Sequence, residues 1–351
     1  MRRIKTGIAG FGKSAKVFHA PFLTTMPEFE VTHVLERHAE ESRKTIPGVT
    51  VVRTIEELIE DNGTELIVIT TPNTSHFDYA SRALLAGKHV VLEKPFTNTI
   101  EEAEELLKIS KASGRILSVY QNRRYVSDFL TIRHILENGL LGDVHEFNAT
   151  YDRYRPQAIP GAWRETAAPG SGILYDLGPH IIDQALSLFG HPETITADIR
   201  KQRPHAQADD YFNIWLNYGF LKVILHAGML VREQGPRYMI QGTKGSFLKY
   251  GEDPQEEKLK AGQLPVTDDW GQEPESMYGI LNAEIDGVPV RKVIPSHKGD
   301  YGQFYKNLYD TIVNGKPLSE KAEHGYNTIR IIELAFESHE QKKTLACSGL
   351  K

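Results

Sequence analysis

The sequence predicts an α/β protein: a doubly wound parallel-sheet domain over residues 1–122, then an α+β domain over 123–351 with an open, mostly antiparallel sheet. Three observations carry that expectation. Up to about residue 122, short apolar runs alternate with longer amphipathic segments. From about Gly142 the runs show period-two alternation and are joined by short turns. The length of 351 residues also exceeds what one hydrophobic core usually supports.

In the first half, "IKTGIAG" is a strand and the stretch from Ser14 to Met26 a helix. "EVTHVL" and "VTVVR" are the next strands, and "TIEELIEDN" the helix after them. "ELIVITTP" and "HVVLEKP" flank a helix that runs through Ala86. "TIEEAEELLKISKASG" places Leu106, Leu107 and Ile109 on its buried side, with Gly114 as its stop. "RILSVYQN" closes the series. These strands are apolar without clean alternation, as expected of a parallel sheet covered on both faces.

In the second half, "DVHEFNATYDRY", "TITADIRKQR", "YFNIWLNYG", "LKVILHAGML" and "RYMIQGTKGSFLKY" are successive strands, with turns at "NYGF" and "GTKG". "HIIDQALSLFG" is a helix among them, and "GQFYKNLYDTIVNG" and "NTIRIIELAFESHEQ" are two more near the end. The charged segment Gly251 to Gly271, with two prolines, reads as a surface loop.

Composition narrows the function. A formal charge of −5 and a pI near 6.3 supply no basic field for nucleic acid or an anionic membrane. Cys347, the one cysteine, excludes an intrachain disulfide and any cysteine-based zinc site, and no metal set is expected. The start "MRRIKTGIAGFGK" has basic residues ahead of apolar ones. Lys13 interrupts it too early for a secretory core, and no small-residue cleavage pattern follows. No apolar stretch approaches the roughly 18 residues of a membrane helix. The expectation is a soluble, cytoplasmic protein.

"GIAGFGKSAK" carries Gly10, Gly12 and Ala15 in the G-x-G-x-x-G/A spacing, directly after a strand and opening a helix. Gly10 suits the tight turn, Gly12 the close approach of a pyrophosphate, and Ala15 the close packing of helix on strand. Backbone from Gly10 through Phe11, Lys13 and Ser14 would then face the phosphates. Glu36, at the end of the second strand, stands where an acid binds the adenosine ribose of NAD. The adjoining Arg37 and His38 suit the 2′-phosphate of NADP. The two signals conflict, so a nicotinamide dinucleotide is expected with its phosphate preference open.

Ligands of such sheets bind beyond the carboxyl ends of the strands. Three of those ends are chemically loaded: "TTPNTSH", with Thr71, Pro72, Asn73 and His76; "EKP", with Glu93 and Lys94; and "YQNRR", with Asn122. Any one could be a polar loop, but together, beside a phosphate-binding turn, they favour an active site. A partly desolvated Lys94 could hydrogen-bond and polarise an alcohol or ketone. In the second half, Pro179 suits the first turn of a helix on which His180, Asp183, Gln184 and Ser187 form a polar stripe. Asp176, four residues before His180, could orient its imidazole. A buried, satisfied histidine near a capping acid is the commoner meaning of such a pair.

The ordered set "GFGKSAKVFHAPF", "TTPNTSH", "VVLEKPFT" and "DLGPHIIDQ" resembles the Gfo/Idh/MocA family of NAD(P)-dependent oxidoreductases over nearly the whole chain. Within it, "SVYQNRRYVSDFLTI", "YDRYRPQ" and "GPRYMIQGTKGSFLKYG" are most similar to the NADP-type scyllo-inositol 2-dehydrogenases. The resemblance implies a Rossmann domain followed by the open-sheet domain. It implies a cis Lys94–Pro95 peptide and a catalytic set of Lys94, Asp176 and His180. It also implies pairing of subunits, as a homodimer or homotetramer, through the exposed sheet. NADP-type relatives carry small polar residues and Arg after the second strand, whereas this chain has Glu36-Arg37-His38. The implied reaction is reversible hydride transfer between a secondary alcohol of a polyol or sugar and nicotinamide. Asn122, Arg155, Trp163 and Asp183 are candidates for holding the other hydroxyls. Two alternatives come with the resemblance: a redox-assisted NAD-dependent glycosidase, and a non-catalytic dinucleotide-binding regulator. The intact Lys, Asp and His set weighs against the second.

Overall fold

In the computed structural model, which describes residues 2–159 and 161–351, the chain packs as two units. The first holds the residues up to Asn122 with Pro254–Trp270 and Asp300–Tyr326. The second holds Arg123–Asp253, Gly271–Gly299 and Asn327–Lys351.

The first unit is built on β1 (Ile4–Ala9), β2 (Phe29–Leu35), β3 (Thr50–Val52), β4 (Leu66–Ile69), β5 (His89–Leu92) and β6 (Leu117–Val119). All pair in parallel, in the order β3-β2-β1-β4-β5-β6. The strand order therefore reverses at β1, next to β4, which opens a crevice at their carboxyl ends. Ile8, Val68 and Val91 at the sheet centre are fully buried, as strands covered on both faces require. The helices here are α1 (Ala20–Thr25), α2 (Ser42–Thr45), α3 (Ile55–Glu60), α4 (His76–Leu85) and α5 (Ile100–Ser113). Thr54 and Thr99 cap α3 and α5 by accepting the amides of Glu57 and Glu102. The two glutamates in turn accept amides from the residues just ahead of those caps, Arg53 and Asn98. Gly114 ends α5 in the left-handed region, at φ 63°.

The second unit carries β7 (Val144–Thr150), β8 (Thr194–Arg200), β9 (Tyr211–Tyr218), β10 (Leu221–Gly228), β11 (Tyr238–Gly242), β12 (Gly245–Lys249), β13 (Gly279–Ile285), β14 (Val288–Ile294) and the short β15 (Leu345–Ala346). The sheet order is β14-β13-β12-β11-β7-β10-β9-β8-β15, antiparallel except where β7 runs parallel to β10. Its helices include α6 (Ser127–Glu137), α7 (Ile173–Asp176) and α8 (Gly178–Phe189). Phe147, Ile214, Val223, Leu225, Ile240 and Phe247 bury one face completely, and Phe189 of α8 packs edge-on against Phe147 at 5.2 Å. The opposite face is left open. Along a single row it presents Trp215, Ile224, Asn148, Met239, Leu248, Ile280 and Val293, each paired with the next across the sheet. The β13–β14 hairpin turns at Asp286 and Gly287, both at positive φ (52° and 78°), the arrangement that Asp-Gly favours between two strands.

Residues 251–271 are not the surface loop that their charge suggests. They contain α9 (Gln255–Lys260) and bury Asp253, Gln255, Leu259 and Trp270. The Trp270 indole donates to Gln255 Oε1 at 3.1 Å, and the same oxygen accepts the Tyr301 amide at 2.9 Å. Lys260 meets Glu256 and Glu257 on the outer side of the helix. Next comes α10 (Gly302–Asn314), whose Phe304 and Tyr305 pack on Tyr120 and Phe29 at ring distances of 4.8 and 5.5 Å. These aromatic contacts return the chain to its first unit, although in sequence order both segments lie within the second half. The last helix is α11 (Ala322–Gln341); its Ser338 and His339 accept the Ala197 and Ile199 amides of β8 and cover part of that edge.

Candidate active-site residues

The Gly10–Gly12 turn leaves β1 at the reversal of strand order. Gly10 stands at φ 93°, and a Cβ there would meet Thr71 Cγ2 at 3.0 Å, so conformation and packing both require glycine. At Gly12 a Cβ would meet nothing within 4 Å: the space beyond the turn is open. Phe11 and Ala15 point into the core, Gly12 and Lys13 are exposed, and the Lys16 amide closes the first turn on the Gly12 carbonyl at 3.1 Å. An approaching pyrophosphate would meet main-chain amides, the positive end of a helix and the Lys13 ammonium. These residues therefore fit a dinucleotide.

Glu36 departs from the expectation of a ribose-binding acid. Its Oε1 accepts the Ser42 amide and hydroxyl, at 2.8 and 2.5 Å, and its Oε2 accepts the Glu41 amide at 3.0 Å. The carboxylate is buried and turned back to hold the start of α2, because those donors would otherwise lie unsatisfied at a helix terminus. Arg53 ties down the same loop through the carbonyls of Glu36 and Ala39 and the Glu40 carboxylate. Arg37 and His38 remain exposed, with no ion-pair partner among the described residues.

At the next strand ends, the Lys94–Pro95 peptide is cis and Lys94 is half-buried. Glu93 accepts His19 Nε2 at 2.9 Å and the Ser14 hydroxyl on Oε1, and the Lys94 amide on Oε2 at 2.9 Å. Burial alone would raise the Glu93 pKa. The His19 and Ser14 hydrogen bonds and the neighbouring positive charge hold it down at about 2. His76 also departs from its sequence reading as a cofactor ligand. It is buried, with Nδ1 2.9 Å from the Pro95 carbonyl and Nε2 3.0 Å from that of Thr71, so it braces the two strand ends from within. Burial depresses its pKa against the pull of both carbonyls. Asn73 is buried and donates to Asn98 at 2.8 Å, whereas Thr71 and Pro72 face outward at least in part.

In the second unit the signature "DLGPH" joins α7 to α8. Gly172 precedes α7 at φ 91°, and a Cβ there would lie 1.9 Å from Asp209 Oδ1. Asp209 caps α7 by accepting the Leu174 amide at 2.8 Å, and burial pushes its pKa up to about 6. Asp176 pairs with Arg164 at 3.0 Å, and the Arg164 guanidinium stacks over Trp163 at 4.6 Å. His180 is buried in the first turn of α8, its ring 6.2 Å from Tyr151, over which Arg237 lies at 3.1 Å. The polar stripe of α8 faces inward: Asp183 makes two 2.7 Å bonds to Arg124, and Gln184 bridges the Arg123 carbonyl and the Tyr238 hydroxyl. Asn122 is buried in the 3₁₀ turn Asn122–Tyr125, and Arg155 is exposed. The sequence reading assigned no role to His19, Arg124, Arg164 or Arg237. Of these only Arg124 sat in a quoted strand-end motif, and none has a spacing that marks it.

Comparison with known proteins extends these observations. Residues 4–121 match the oxidoreductase-family NAD-binding Rossmann-fold profile of the Gfo/Idh/MocA group, and residues 133–347 match the C-terminal alpha/beta domain of the same group. The chain is 42% identical over 342 residues to scyllo-inositol 2-dehydrogenase (NADP(+)) IolW of Bacillus subtilis, covering 97% of this chain and 95% of that one. Among solved structures it superposes on the Bacillus subtilis oxidoreductase YvaA with a TM-score of 0.95 at 42% identity, covering 98% of each chain. It superposes on an oxidoreductase from Bacteroides fragilis with a TM-score of 0.91 at 44% identity, covering 98% of this chain and all of the other (100%).

Proposed function

We propose, from the premise that this chain belongs to the Gfo/Idh/MocA family of oxidoreductases, that it is an NAD(P)-dependent dehydrogenase of a cyclitol or related polyol, with scyllo-inositol the first substrate to test. The observation that carries this reading is the placement of Lys94. It stands half-buried at the end of β5, one strand from the β1–β4 reversal where the Gly10–Gly12 turn leaves room for a dinucleotide. Bound nicotinamide supplies the hydride acceptor or donor. Lys94 donates a hydrogen bond to the substrate oxygen and stabilises the negative charge that develops there. His180 accepts the hydroxyl proton during oxidation and returns it during reduction. Asp176, itself held by Arg164, sets the orientation of that imidazole. Asn122, Arg155, Trp163 and Asp183 hold the remaining hydroxyls. Asp183 serves with its lone pairs left over from the Arg124 pair.

The coenzyme reading follows from Glu36. A free acid at this strand end would accept the ribose hydroxyls and repel a 2′-phosphate. Here both carboxylate oxygens are held by α2, while Arg37 and His38 face solvent. That arrangement favours NADP. The open apolar row of the second sheet supports assembly into a homodimer or homotetramer. A panel of inositols and aldoses, assayed with NAD and NADP in parallel by the absorbance of the reduced coenzyme, tests the whole proposal. Turnover of scyllo-inositol with NADP is expected. Turnover of none of the polyols with either coenzyme, in protein that binds NADP, would overturn it.

A further inference from the structure

The helix after the Gly10–Gly12 turn is not regular. Residues Ala15–His19 form a π-helical turn, closed by the Ala20 amide on the Ala15 carbonyl, and Pro21 follows at once in α1. A π-turn accommodates one extra residue, which rotates the following side chain by about 100° relative to an unbroken α-helix. The last residue of that turn is His19, which is fully buried. Its Nε2 lies 2.9 Å from Glu93 Oε1 and its Nδ1 2.6 Å from the Tyr305 hydroxyl of α10, while the Tyr120 ring packs against it at 4.2 Å. The Tyr305 phenol is raised well above its ordinary pKa by burial and by the charge of Glu93, so it keeps its hydrogen. In the Nε2–H tautomer that hydrogen goes to Nδ1, and the imidazole hydrogen on Nε2 goes to Glu93. The carboxylate then accepts from His19 and Ser14 on one oxygen and from the Lys94 amide on the other.

We propose that His19, oriented by Tyr305, is a positioning residue that fixes the Glu93 carboxylate so that its second oxygen grips the Lys94 amide and sets the direction in which the lysine leaves the strand end. The inference rests on the reading of Lys94 as the group that meets the substrate oxygen. The groups facing Glu93 are Ser14 and His19 on the first helix, Tyr305 on α10, His76 on α4 and Lys94 itself. Without His19 the burial of Glu93 is offset only by the Ser14 hydrogen bond and the Lys94 charge. The carboxyl then takes up a proton at a higher pH, its bond to the amide weakens from a charged to a neutral one, and the acid limb of kcat moves upward.

The test compares wild type with His19→Phe, His19→Gln, Tyr305→Phe and Lys94→Ala, measuring kcat, KM and dinucleotide Kd across pH. His19→Phe should lose about tenfold or more in kcat at the acid end, the loss of one hydrogen bond to a charged group, with KM and Kd near wild type. His19→Gln keeps an N–H at the same reach and should restore most of kcat. Tyr305→Phe should fall between them. A His19→Phe enzyme with wild-type kcat and pH profile, alongside an inactive Lys94→Ala, would overturn the positioning role alone. A fully active Lys94→Ala would sink the Lys94 reading and this inference with it. Independently of turnover, NMR of nitrogen-labelled histidine should find His19 as the Nε2–H tautomer, assigned by the signal missing in His19→Gln. The Nδ1–H form would also overturn the proposal.

Discussion

Asp128, in the first turn of α6, is buried among two cations and two further carboxyls. Lys249 pairs with Glu273 at 3.2 Å, Asp253 accepts the Ser127 amide at 2.7 Å, and Arg237 lies close enough to act on Asp128 by its charge. Burial pushes Asp128 up to about 7 from its ordinary 3.8, and the neighbouring Asp253 and Glu273 carboxyls add to the rise against the pull of Arg237 and Lys249. Because the folded value is the raised one, the folded chain keeps this proton over a range in which the unfolded chain has lost it. Stability is therefore fully present below about pH 4 and falls as pH rises towards 7, by about 1.4 kcal/mol per pH unit and about 4 kcal/mol in all. Asp128→Asn keeps the acceptor for the Phe129 amide but cannot ionise, so its profile lacks that slope. Denaturant unfolding of both proteins at several values between pH 4 and 9 measures the difference. The variant should gain on wild type up to about pH 7 and then hold its lead. Parallel curves across the whole range would show that Asp128 is ionised in the folded chain and would refute the reasoning.

Gly325→Ala should disturb Lys94 from a distance: the new methyl would lie 2.6 Å from Phe96 Cγ, two residues past the lysine. A loss of about 1–3 kcal/mol in stability and a reduced kcat are expected, with partial recovery on adding Phe96→Leu, as urea melts and steady-state kinetics will read. Arg37→Ala should raise KM for NADP about tenfold or more and leave KM for NAD nearly unchanged; equal effects on both would remove Arg37 from the phosphate site. Trp215→Glu, at one end of the open row, should reduce the mass seen by light scattering while leaving circular dichroism intact. Asp183→Ala removes the two charged bonds that hold the buried Arg124 and should cost about 3–5 kcal/mol, whereas replacing both by apolar residues should cost far less.

Most of the architecture was legible in the sequence because it rests on local signals. Gly10 and Gly12 follow a strand, Thr54 and Thr99 each precede a glutamate at capping distance, and the second half alternates with period two. The β13–β14 hairpin escaped although it turns on Asp286-Gly287. Pro289 breaks the strand pattern of β14, and Val288 and Val293 are exposed, as an edge strand permits. Residues 251–271 escaped because α9 is too short for its buried face to outweigh its charges. At the candidate site, residue types were readable and side-chain directions were not. Glu36 turns inward because of Ser42, six positions on, and His76 because of carbonyls at Thr71 and Pro95. His19 gains its partners only through a π-turn and a tyrosine 286 residues away. No periodicity in the chain announces either.

The inward turn of Glu36 bears on how coenzyme choice could change in this lineage. An enzyme that reads one dinucleotide is usually converted to the other by exchanging charges at the adenosine end. Here a carboxylate already stands at that strand end and is occupied by a serine hydroxyl and by two amides at the start of a four-residue helix. On the proposed preference for NADP, replacing Ser42, or lengthening the segment that carries it, would free that carboxylate towards the ribose without adding a new charge.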